Sequence, residues 1–94
     1  MKVSLYSVYD VKAKMYYPPQ CAINRPSAMR MFQTQFKQPG SQFHDYPQDF
    51  DIYECGTFDD ERCTIEPYDK PTHVCALSDL INNPNDNGIR NNDD

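Results

Sequence analysis

Residues 50–57, closed by the acidic run Phe58-Asp59-Asp60-Glu61, constrain the fold of this chain more than any other stretch. Phe50, Ile52 and Glu54 fall on one face, and Asp51, Tyr53 and Cys55 on the other. A period of two with aromatic content is the pattern of a strand that packs on one side. Asp side chains bond to backbone amides two residues on, so the acidic run predicts a hairpin turn. Residues 62–67 predict the returning strand, ended by Pro67. Gly56 marks a bulge or a close backbone approach.

A second strand is predicted over residues 2–9. Val3, Leu5, Ser7 and Tyr9 point one way, and Lys2, Ser4, Tyr6 and Val8 the other. Asp10-Val11-Lys12 supplies the turn. Met15, Tyr16 and Tyr17 begin a return strand, which Pro18-Pro19 stops or confines to an edge. A helix is predicted over residues 25–37. Asn24 or Ser27 caps it, and Pro26 sits where a missing amide costs nothing. Ala28, Met29, Phe32 and Phe36 form its apolar stripe, and Pro39-Gly40 ends it. Residues 42–48 are expected to be a loop, with Phe43 and Tyr46 folding back onto the core beside Pro47. Residues 71–77 predict a short edge strand, and 78–81 a helical turn.

These elements define an α+β fold: a small antiparallel sheet packed against one helix. The domain is expected to span residues 1–81. From Asn82 to Asp94, nine of thirteen residues are Asn or Asp. Such residues bury little, so 82–94 are expected to be a disordered acidic tail. At 94 residues and 38% hydrophobic content, the chain can bury only a modest fraction of its surface. A second copy or a partner would help, and open sheet edges would suit a homodimer.

The inventory for catalysis is poor. His44 and His73 are the only histidines, and no nucleophile elbow, phosphate-binding loop or His-Glu-x-x-His motif is present. The expectation is a protein that is not an enzyme, with no catalytic residues and no cofactor. Asp59, Asp60 and Glu61 form a carboxylate cluster that reads as a solvated turn; as a divalent cation site it would need further oxygen ligands. The four cysteines, Cys21, Cys55, Cys63 and Cys75, lack Cys-x-x-Cys spacing, and no metal site is expected. Cys55 and Cys63 flank the acidic turn. They read as reduced, buried thiols on paired strands rather than as a disulfide, since no apolar leader follows Met1-Lys2. No run has the length of a membrane span.

Charge is unevenly spread. Residues 1–48 hold six basic and two acidic side chains, a net of +4; residues 49–94 hold three basic and twelve acidic, a net of −9. The first half supplies a candidate DNA-binding set: Lys12, Lys14, Tyr16, Tyr17, Arg25, Arg30 and Lys37. Proteins that hold single strands combine cations with stacking rings. The second half supplies the alternative, an adaptor whose acids Asp49, Asp51, Glu54, Asp59, Asp60 and Glu61 meet a basic partner.

Two stretches carry a family resemblance. The first is Tyr6-Ser7-Val8-Tyr9-Asp10 with Lys12 and Ala13, followed by Ala28, Arg30 and Phe32. The second joins Phe43, Pro47, Asp49, Phe50, Tyr53, Gly56, Phe58, Asp59 and Asp60. Over roughly residues 3–67 the chain resembles the small nonstructural proteins of microviruses, the gokushovirus branch of single-stranded DNA phages. The family pattern places a glycine near Arg62, which this chain lacks. The resemblance implies an accessory factor in genome replication or packaging, working in the host bacterial cytoplasm. It would bind single-stranded DNA or the replication complex, or dock a phage or host replication protein or capsid precursor.

Overall fold

The computed structural model describes residues 1–82 and shows an α+β fold. Five strands form one antiparallel sheet: β1 (Lys2–Asp10), β2 (Met15–Tyr16), β3 (Gln20–Ala22), β4 (Phe50–Asp59) and β5 (Thr64–Ala76). β1 and β4 lie at the centre, β5 flanks β4, and both β2 and β3 lie along the far side of β1. Three helices complete the chain: α1 (Arg25–Gln35), α2 (Gln42–Asp45) and α3 (Leu77–Asn82), with a 3₁₀ turn at Pro47–Asp49. The expected disordered tail lies outside the described residues, apart from Asn82, whose backbone closes α3. No described helix is long and apolar enough to cross a membrane.

Alternation along the central strands creates the core. Tyr6 and Val8 of β1 and Phe50 and Ile52 of β4 join Ala28 and Phe32 of α1 and Leu77 of α3 in one buried cluster. Ala28, Phe32, Ile52 and Leu77 have no exposed surface. The helix is set by its ends. The Asn24 carboxamide oxygen accepts from the Ser27 amide at 2.9 Å, and Pro26 occupies the first turn. The regular helix stops at Gln35, two residues short of expectation, and Phe36 closes it. Two helices rather than one cover the sheet, because Leu77 completes the core and Gln33 Nε2 donates to the Leu80 carbonyl at 3.0 Å.

Residues 42–48 are not a loop. Ser41 caps α2 by accepting from the Phe43 amide, and Phe43 stacks on Phe36 at 4.4 Å between centroids and packs at a tilt against Phe50 at 4.7 Å. Pro47 is buried, whereas Tyr46 stays outside at 58% exposure, contrary to the expected fold-back. A four-residue helix carries too little periodicity to be read from sequence.

Pro18-Pro19 stop the return strand at the sheet edge as expected, whereas Pro67 does not end the strand that carries it. Pro18-Pro19 split the return strand into β2 and β3, and both halves stay on β1: the Tyr17 amide donates to the Val8 carbonyl at 2.8 Å, and Gln20–Ala22 pair with Ser4–Tyr6. Pro67 and Pro71 do not end β5. Among the described residues β5 pairs with β4 alone, so a proline whose nitrogen faces away from β4 breaks no ladder bond, and Pro71 lies in a stretch that is not paired. Residues 68–71 bulge outward where only Cys55 faces them, between the Gly56–Pro67 and Glu54–Thr72 pairs.

Both hairpin turns share one construction. Asp10 accepts from the amides of Lys12 and Ala13 at 3.0 Å, and Asp59 from those of Glu61 and Arg62. Each ends on a left-handed residue, Lys14 (φ 59°) or Cys63 (φ 55°). The second turn therefore lies later than the acidic run suggested, at residues 60–63, with Cys63 rather than a glycine in the left-handed position.

These contacts generate three stability predictions. A Cβ on Gly56 would lie 2.5 Å from the Glu66 carbonyl oxygen, so Gly56→Ala forces backbone apart and should cost about 1–3 kcal/mol in denaturant unfolding. Cys63→Gly relieves the left-handed strain and should stabilise by about 1 kcal/mol. Phe32→Asp buries a charge in the core and should leave no cooperative thermal transition.

Candidate nucleic-acid interface

The sheet has a second face, opposite the helices. Cross-strand register places Tyr16, Tyr9 and Asp51 in one row across β2, β1 and β4, with Ser7, Tyr53 and His73 in the next row across β1, β4 and β5. Side chains on paired positions point the same way. The rings converge: Tyr9 and Tyr16 lie 4.6 Å apart between centroids, Tyr16 and Tyr53 5.5 Å, Tyr9 and Tyr53 6.0 Å, and Tyr53 and His73 5.3 Å. Tyr16 is 44% exposed. Its hydroxyl is pushed upward by burial first and then by the neighbouring Tyr53 and Tyr9, which keeps the phenol neutral. At the rim, His73 Nε2 lies 3.2 Å from Asp51 Oδ1.

The cations expected to bind DNA do not form one patch. Lys12 and Lys14 are exposed in the β1–β2 turn, which leads through Met15 into Tyr16. Tyr17 turns inward instead. It packs edge-on against Phe43 at 5.3 Å and borders an apolar groove with Pro18, Pro19 and Phe36. Arg25 is occupied by Glu54 at 2.9 Å. Arg30 lies on the solvent side of α1, and Lys37 follows that helix, so both belong to the helical layer. Adjacent residues of a strand face opposite sides, which separates Tyr16 from Tyr17.

The acids expected to dock a partner are also divided. Asp59, Asp60 and Glu61 sit at one end of β4, and Asp49 and Asp51 at the other, about 30 Å apart along a ten-residue strand. Asp60 and Glu61 are held by the Met1 amine at 3.0 and 3.4 Å. Glu54 belongs to a third group, accepting from Arg25 and, at 2.6 Å, from the Tyr68 hydroxyl. Burial opposes its ionisation, yet the Tyr68 and Arg25 hydrogen bonds outweigh burial and hold it below the ordinary glutamate range.

The cysteines are free. Cys55 lies in the β4 bulge and Cys63 is exposed in the turn, so they are neither bridged nor the paired buried thiols expected. Burial pushes Cys75 up to about 11, and its Sγ sits 3.7 Å from Met29 Sδ. Among the described residues, no three His, Cys, Asp or Glu side chains gather in a group that could hold a metal ion.

Sequence reading named Tyr16 but missed Tyr9, Tyr53, Asp51 and His73 as its neighbours. The alternation of Asp51 and Tyr53 was a usable signal. His73 was not findable, because two prolines interrupt the strand that carries it.

The fold and face thus define a small α+β protein whose sheet is half covered by helices and half by tyrosines. The chain matches the family model of the Phage ORF5 protein over residues 3–80, and it belongs to that family of phage proteins. No curated protein and no solved structure matches it.

The Glu54 group generates a pH prediction. A carboxylate whose folded pKa is depressed adds stability above its unfolded value, near 4.5, and loses it as pH falls through the folded pKa. Glu54→Gln should therefore lower the melting temperature at pH 7 and flatten its decline below about pH 4.5. Parallel acid limbs for the variant and the parent chain would contradict the assignment.

Proposed function

We infer that this phage protein is a non-enzymatic accessory factor of the microvirus type. On this reading it binds single-stranded DNA on the outer sheet face, during genome replication or packaging in the host cytoplasm. The observation that carries this reading is the cluster of Tyr9, Tyr16 and Tyr53 on the face opposite the helices, with Lys12 and Lys14 beside it. Aromatic rings stack bases of any sequence, and nearby cations hold the phosphates. The stacking surface is flanked by few cations, so affinity should come more from rings than from counterion release. The microvirus resemblance supports DNA as the polymer. The alternative, an adaptor that docks a basic partner, would use acids at two separate ends of β4.

Fluorescence anisotropy with a single-stranded oligomer at low salt tests this proposal. Stacking is worth about 1–3 kcal/mol per base, so Tyr16→Ala should weaken binding roughly tenfold or more without unfolding the chain. Replacing Lys12 and Lys14 by Gln should reduce the salt slope by about 1.4, at roughly 0.7 per phosphate contact. Absence of binding at tens of micromolar protein, or identical affinities for the parent and Tyr16→Ala, would overturn the reading.

A further inference from the structure

The tyrosine face has an acceptor built into its rim, and stacking alone does not require one. Asp51 stands directly across from Tyr9 in the β1–β4 register, and Ala76 flanks it on β5. Directly paired side chains begin about 5 Å apart. A base lying on the Tyr9 ring therefore turns one edge toward the Asp51 carboxylate. His73, directly across from Tyr53, lies with Nε2 3.2 Å from Oδ1 and fixes the carboxylate when that nitrogen carries the proton. An ionised carboxylate has about four acceptor sites on two oxygens. One is used by His73 at Oδ1, so acceptor capacity remains on both oxygens. Asp51 keeps 26% of its side chain exposed and His73 keeps 51%, so a ligand can reach both.

A carboxylate beside a phosphate polymer is unfavourable unless it accepts hydrogen bonds from that polymer. The four bases differ in what they can donate. Guanine presents two adjacent donors on its Watson–Crick edge, the ring N1–H and the exocyclic N2 amine. Cytosine and adenine each present one amine next to a ring acceptor. Thymine presents a single imide N–H between two carbonyl oxygens, which a carboxylate repels. In single strands this edge is free to be read.

We propose that Asp51, held by His73 at the rim of the tyrosine face, is a specificity-determining residue that reads the Watson–Crick edge of a guanine in bound single-stranded DNA. The proposal rests on the single-strand reading above and adds a base preference to it. The tyrosines supply affinity for any base, and Asp51 makes one stacking position selective.

The test compares two labelled oligomers with the full chain: a deoxythymidine nonamer, and the same nonamer with one central guanine. A two-point hydrogen-bonded contact discriminates by about 1–3 kcal/mol, so the guanine oligomer should bind about tenfold tighter. Asp51→Ala should abolish that preference and bind the all-thymidine oligomer at least as tightly, because a negative charge has been removed. His73→Ala should reduce the ratio of guanine-oligomer to all-thymidine affinity. Circular dichroism melting confirms that each variant is folded. If the parent chain binds neither oligomer, the single-strand reading itself falls, and the preference with it. Equal binding of both oligomers by the parent chain overturns the Asp51 assignment alone. So does an Asp51→Ala variant that keeps the guanine preference, or one that loses affinity for both oligomers equally.

Discussion

The register between β1 and β4 is the constraint from which the other features follow. Val8 opposite Ile52 puts two apolar side chains under the helices, and Tyr9 opposite Asp51 puts the next pair on the other side. A slip of one residue would exchange the two faces. Phe32 and Leu77 would then meet carboxylate and phenol, and the tyrosines would lie beneath α1. The bulge between Leu5 and Tyr6 preserves this alternation while bending the sheet, and it leaves Cys55 as the extra residue. Gly56 then lets β5 approach so closely that no side chain fits. The outer face exists because the inner face is fixed.

Much of this frame was legible in the chain. The strands over residues 2–9 and 50–57 and the helix cap at Asn24 follow from period and local chemistry, and the structure places them within a few residues of expectation. The small elements were not legible. β3 is three residues long and follows a double proline, and its only reason to be a strand is the open edge of β1 beside it. β5 continues through two prolines because, among the described residues, it pairs with β4 alone, which depends on strand order rather than on sequence. The site was legible by halves. Tyr16 could be named from its neighbouring lysines, but its companions come from three other strands, and only the register brings them together.

Charge along the chain was a poor guide to where charge lies on the folded surface. The cationic first half and acidic second half describe the order of residues, and folding mixes them. Arg25 meets Glu54, Lys2 meets Glu66, and the Met1 amine meets Asp60. The exposed pairs at Lys2 and Met1 add little stability, unlike the half-sheltered Arg25–Glu54 pair, yet all three remove cations from any phosphate-binding surface. The lysines left beside the rings are few, so a DNA contact here depends on short-range stacking more than on long-range attraction. The protein has two unlike faces, a helical layer over its core and a cluster of tyrosines on the opposite side of the sheet.

Chemical-shift mapping by NMR, with a single-stranded oligomer titrated into the isotopically labelled chain, tests the central claim most directly. The account predicts perturbations concentrated on Tyr9, Tyr16, Tyr53 and His73 and on the adjoining β1–β2 turn, with α1 quiet. Shifts confined to Arg30 and the solvent side of α1, or a spectrum unchanged at saturating oligomer, would contradict it.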